Sequence, residues 1–280
     1  MLVFIKKTFY TELKYKCIGV AAMTINTTKF SPLVNSIIIT VLFLVSEEII
    51  SFFDFPTPIY EFTLLIVYLS YACFFTKKID KQPLRVLELK FSKKSLKGFN
   101  MSLALTALVI FNGTLLSRIL FHDEILKLRG TINFTTITLT VVLFFIEAFI
   151  KQGFPEELIF CGYMVQNLRT KYNNFQTMLI SVCLFTLMHA IHIFMEGLFY
   201  GILTMFYAFS FACLAYLLKI VFKTTWAAVA VHGGVHMTRM VIMLFGFSET
   251  NHAIFLQSML LLVTSLLIFF RIKDSIFEIK

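Results

Sequence analysis

Apolar residues run along this chain in long blocks separated by short polar or charged stretches, and the blocks are long enough to cross a bilayer as helices. Eight stretches of roughly 17 to 25 mainly apolar residues fall near 33–53, 59–76, 99–121, 134–168, 176–194, 197–219, 225–246 and 252–271. The first ends at Asp54-Phe55-Pro56-Thr57-Pro58, where two prolines mark a turn, and the second stops at Lys77-Lys78. The fourth is too long for a straight crossing, since as one helix it would rise about 50 Å at 1.5 Å per residue. Pro155 interrupts it, and a proline inside a helix removes a backbone hydrogen bond and kinks the rod. Residues 77–98 alternate apolar and basic side chains, which predicts a helix lying on the membrane surface.

Composition turns this pattern into a fold class. The 280 residues are 58% hydrophobic and 15% charged, with a mean hydropathy of +0.83; these values describe a polytopic membrane protein rather than a soluble globule. The expected fold is all-α: a bundle of about eight transmembrane helices over 33–272, behind a cytoplasmic N-terminal segment 1–32. Lys and Arg settle the expected orientation. The N-terminus, the 77–98, 169–175 and 219–223 loops and the C-terminal tail carry twenty, and the alternate loops carry three. This positive-inside bias predicts that both termini are cytoplasmic. It also accounts for the net charge of +9 without nucleic acid, for which no basic patch interleaved with exposed aromatics is present. The bilayer is the expected partner. Cys17, Cys73, Cys161, Cys183 and Cys213 are scattered without CxxC spacing, so they read as small core residues and not as a disulfide or zinc framework. No short apolar core with a small-residue cleavage site follows Lys6, Lys7, Lys14 and Lys16, so no cleaved signal peptide is expected. The 34 phenylalanines read as packing and lipid-facing bulk, and Trp226 as an interface anchor.

Chemistry concentrates at Phe154-Pro155-Glu156-Glu157-Leu158-Ile159-Phe160-Cys161-Gly162. A charge near the bilayer centre costs a few kcal/mol even on lenient insertion scales, so two carboxylates there call for a function and for partners. The candidate partners are His189, His232 and His236. Counted from the cytoplasmic ends of their spans, Glu156, His189, His232 and His236 lie roughly 20, 20, 10 and 16 Å deep, which places three spans' polar residues in one layer. Two adjacent carboxylates in a low dielectric do not both ionise cheaply, which leaves one as a base for water. His189 can share that water or carry a proton to a leaving amine. His232 and His236, at i and i+4, share a helix face and can donate to an oxyanion. The reaction implied is peptide hydrolysis at the membrane with water as nucleophile.

At these residues the chain resembles the CPBP family of intramembrane endopeptidases, the CAAX protease and bacteriocin-processing enzymes, which includes Abi and lysostaphin-resistance-A-like proteins. Its pattern is Glu-Glu-x-x-x-Arg, then Phe-x-x-x-His, then His-x-x-x-Asn, on three helices of an eight-span bundle. Glu156-Glu157 with Gly162 fits the first motif, Phe185 with His189 the second, and His232 begins the third. The resemblance implies a catalytic region at about 134–246, water activation by Glu156 and His189, oxyanion stabilisation by His232 and residue 236, and no cofactor. It also implies a membrane-associated peptide or protein substrate. Two positions depart: Cys161 stands where the family has arginine, which removes the i+4 cation of Glu157, and His236 stands where it has asparagine. The second departure brings in a zinc alternative with His189, His232, His236 and Glu156 as ligand types. Heavy use of Phe, Ile and Lys resembles low-GC Gram-positive bacteria, so a bacterial plasma membrane is the expected location.

Several polar residues have blander readings. Glu47-Glu48 falls near the outer rim and reads as interfacial. Glu147 and Lys151, at i and i+4, predict an internal ion pair. His192, three residues after His189, reads equally as support for it or as a satisfied core histidine. Arg239 shares the face of His232 and His236, and is expected to replace part of the missing positive charge with Glu157 or Glu147 as partner. Cys161 as a thiol nucleophile is disfavoured by its apolar setting beside carboxylates. Two further classes compete: a non-catalytic immunity or scaffold protein of the same fold, and a proton-coupled transporter using the buried acids. No paired, interrupted spans favour the transporter.

Overall fold

A computed structural model describes residues 31–123 and 134–277. Most of the N-terminal segment 1–32, including its lysines and Cys17, lies outside the described residues, as do 124–133 of one loop. The described chain is helical, without a β-strand, and eight helices are long and apolar enough to cross a membrane. They are α1 Pro32–Ser51, α2 Ile59–Ile79, α3 Lys93–Phe121, α4 Ile137–Leu168, α5 Asn174–Glu196, α6 Leu198–Phe222, α7 Thr225–Leu244 and α8 Asn251–Lys273. Their starts follow from capping chemistry. Ser31 accepts from Val34 N ahead of Pro32 at α1. Reciprocal capping boxes, Ser92 with Ser95 and Asn173 with Gln176, open α3 and α5, each matching donors that a helix start leaves free.

The surface helix expected over 77–98 does not form. α2 ends in a π-helical turn, Phe75–Ile79, and a 3-10 turn, Leu84–Leu87, leads to α3 at Lys93. Beyond the bonds of its own short turns, this stretch is bonded to the start of α7. Thr225 Oγ1 donates to Leu87 O at 2.6 Å, Thr225 N to Glu88 O at 3.2 Å and Trp226 Nε1 to Leu89 O at 2.9 Å. Leu87 is buried, and the Glu88 carboxylate bonds Lys219 of α6, whose side chain is fully buried. Trp226 therefore ties segments together, stacked on Phe154 and bonded to Leu89 O. Eight Lys and Arg remain exposed around this docked stretch.

α6 and α7 are the most enclosed spans, and α4 crosses α7 with almost nothing between the backbones. A Cβ on Gly153 of α4 would lie 2.8 Å from Gly233 N, and one on Gly233 would lie 2.3 Å from the ring of Phe149. Glycine permits that approach, and it sets Glu156 and Glu157, three and four residues after Gly153, beside His232.

Candidate active site

α4 is not a regular helix where the carboxylates stand. A π-helical stretch, Ile146–Gly153, gives way to a single α-turn, Phe154–Glu157, and a second π-helical stretch, Leu158–Met164. Pro155 explains the first: it has no N–H for the Lys151 carbonyl and its ring crowds that group, and the wider register, with Phe154 N bonding Phe149 O, relieves the crowding. π-turns inside helices recur at functional sites. Here they turn Glu157 into the core, at 1% exposure, while the Glu156 side chain keeps 18%.

His232 of α7 stands between the two acids. Its Nδ1 is 3.1 Å from Glu157 Oε1 and its Nε2 is 3.9 Å from Glu156 Oε2, so both ring nitrogens face carboxylate oxygens. His236, one turn on, packs its ring at 5.1 Å from that of His232. His189 comes from α5, which breaks at His189-Ala190 before a short helix, Ile191–Glu196. Its Nδ1 is 3.1 Å from the Phe185 carbonyl. A carbonyl only accepts, so Nδ1 carries the proton and Nε2 keeps the lone pair a base requires. The Phe185 ring separates the imidazoles, 5.0 Å from His189 and 5.7 Å from His232 at 90°. Phe211 of α6, on which the sequence offered no signal, closes the other side of His232 at 4.9 Å.

The structure thus brings Glu156, Glu157, Phe185, His189, His232 and His236 together and leaves other candidates outside. Arg239 does not reach Glu157 or Glu147: it pairs with Glu249 and lies over the Tyr207 ring at 4.9 Å, because the chain after α7 folds Glu249 back onto its guanidinium. Glu147 pairs with Lys151 at 2.8 Å, as its spacing predicted, and Lys151 also reaches Glu61 of α2 at 3.4 Å. His192 is half-buried, pairs with Glu196 at 3.1 Å and stacks its ring 6.1 Å from that of His189, so it stands beside His189 and is not a core histidine. Cys161 is buried beside Glu157. His232 Nδ1 is taken by Glu157 and His189 Nδ1 by the Phe185 carbonyl, and among the described residues no three His, Cys, Asp or Glu are grouped as metal ligands.

A helical membrane bundle that keeps a hydrogen-bonded Glu–His pocket inside an apolar core is the class that fold and site define. A family model described as Rce1-like, type II CAAX prenyl endopeptidase Rce1-like, matches residues 138–238, from α4 into α7. That stretch contains every residue of the pocket, and Arg239 falls just beyond it. The likeness to the CPBP and CAAX protease family read from the motifs is thereby shown over this region, and the family is one of proteases. Comparison with curated proteins gave no match.

Proposed function

We propose that the chain is an intramembrane endopeptidase that hydrolyses a membrane-associated peptide or protein with a water activated by Glu156. The observation that carries this reading is the convergence of two adjacent carboxylates on one imidazole, His232, with a second imidazole, His189, holding its Nε2 free. Glu156, the less buried acid, takes a proton from water as the oxygen attacks the scissile carbonyl carbon. His232 and His236 donate to the oxyanion as it develops. Collapse breaks the C–N bond, and the proton passes to the leaving amine from Glu156 or through His189. Glu157 is a positioning residue that fixes the His232 ring.

The step uses no metal, and both termini lie in the cytoplasm, a reading supported by the twenty-to-three distribution of Lys and Arg. A Gram-positive plasma membrane fits the composition, and a peptide pheromone or bacteriocin leader is the substrate class in keeping with it. Prenylated CAAX substrates belong to the matched family's description and have no support from a residue of this chain. One observation favours a second reading, a non-catalytic immunity protein: Cys161 leaves Glu157 without its family cation. Comparing membrane and secreted peptides of a deletion strain and a Glu156→Gln strain separates the two. The protease reading expects the same uncleaved precursor in both strains; normal processing in Glu156→Gln overturns it.

A further inference from the structure

Only half of the Glu157 carboxylate is used. Oε1 meets His232, whereas Oε2 is buried with no nitrogen or oxygen donor on it, and the one group that bonds this carboxylate from the other side is the weakly donating Cys161 thiol. A buried, unmatched carboxylate oxygen loses its hydration with nothing to replace it. Glu157 also lines a small cavity of about 10 Å³, room for one water-sized guest, between α4, α5 and α6, with Cys161, Ser181 and Tyr216 as its other polar walls and Phe160 and Phe185 among its aromatic ones. Ser181 Oγ donates to Phe160 O at 2.9 Å, and Tyr216 Oη donates to Asn174 O at 2.8 Å. Both hydroxyl protons are committed, so each has only lone pairs to offer a guest. The Cys161 thiol is a weak donor. Lys219 acts electrostatically on that thiol, but its ammonium is bonded by Glu88 and by Thr225 Oγ1. The cavity therefore presents a carboxylate oxygen, two oxygen lone pairs and aromatic faces, with no cation of its own.

We propose that this cavity binds one small monovalent cation, K⁺, Na⁺ or ammonium, held by Glu157 Oε2 and the oxygens of Ser181 and Tyr216. Oxygen donors suit hard cations, and the flanking rings add cation–π attraction. The guest neutralises Glu157 from the space that the small side chain of Cys161 leaves open. The site shares Glu157 with the proposed reaction, but its test reads stability rather than cleavage, so the two readings fail separately.

The test is the melting temperature of the purified protein in zwitterionic nanodiscs, in KCl, NaCl or NH4Cl against choline chloride at equal ionic strength. At least one small cation should raise Tm saturably, by about 2–4 °C over choline. Cys161→Arg, which sends its own guanidinium into the cavity, and Glu157→Gln, which removes the charge, should each abolish the dependence. Equal Tm in all four salts means that the cavity holds water only and overturns the site, as does a dependence that survives in either variant. If one variant fails to fold, the other decides. If both fail, anomalous scattering from thallium(I) soaked into crystals of the wild-type protein decides: a peak in the cavity supports the site, and none there overturns it.

Discussion

Glu156 and Glu157 are neighbours in the chain with opposite surroundings, and that difference assigns their roles. Glu157 is sealed and bonded to His232 Nδ1, whereas the Glu156 side chain is 18% exposed, as a group that must meet water in the proposed reaction requires. Glu156→Gln should therefore lower cleavage by about 10²–10⁴-fold, the range for loss of a general base. His232→Ala should cost about 10²–10³-fold as an oxyanion donor. Both are measured as precursor turnover at matched protein level. Glu157→Gln should cost less than Glu156→Gln, because an amide can still hold the imidazole. A larger loss at Glu157 than at Glu156 would reverse the assignment. Arg239 shows where single-residue reasoning stopped. Its face on α7 was legible from the helical step, but its partner, Glu249, sits past the end of the helix, where no periodicity operates.

The site depends on how the irregular α4 meets the regular α7. Gly153 and Gly233 let α4 and α7 touch backbone to backbone, so a methyl group at either position must push the helices apart. At Gly153 the obstruction is main chain on both sides, Gly233 N at 2.8 Å and Ala148 O at 2.9 Å, and main chain cannot rotate away. Gly153→Ala should destabilise by about 1–3 kcal/mol, as overpacking does, and should lower turnover further by moving Glu156 from His232. Unchanged Tm and turnover would show that the crossing is slack. The spans and the common depth of Glu156, His189 and His236 were readable because apolar length and rise per residue are local properties. The docked stretch 84–89 was not, because it is decided by partners in α7, and Pro155 signalled a kink in α4 without the π-helical turns that take it up. Residues 77–98 have the alternation of a surface helix, yet hydrogen bonds from Thr225 and Trp226 outcompete helix formation there.

At the scale of the bundle, the end that carries Asp80 and Glu88 ties the first spans to α4 and α6 through buried polar contacts. Asn167 of α4 donates to Pro32 O at 2.7 Å, Asn35 of α1 donates to Asp80 Oδ1 at 3.1 Å, and Glu88 bonds Lys219. The last pair is asymmetric: Lys219 is sealed and the Glu88 side chain is 29% exposed. Glu88→Ala strands a buried ammonium and should cost about 3–5 kcal/mol, while Lys219→Ala leaves an acid that water can reach and should cost less, as chemical denaturation of both variants would reveal. Asp80 makes the same end sensitive to pH. Burial raises its pKa from 3.8 to about 6, against the opposing hydrogen bonds from Tyr163 and Asn35. The folded form then holds the proton more tightly than the unfolded one. Its contribution is greatest below 3.8, declines as pH rises through about 6, and is flat above that. An asparagine at this position can still accept from Asn35 and has no proton to lose. Asp80→Asn should match the wild type near pH 4 and exceed it above about pH 6, so that the difference in Tm between the two opens between those values. A difference that is constant across the window, or that opens on acidification, would mean that Asp80 is already ionised in the folded protein at low pH.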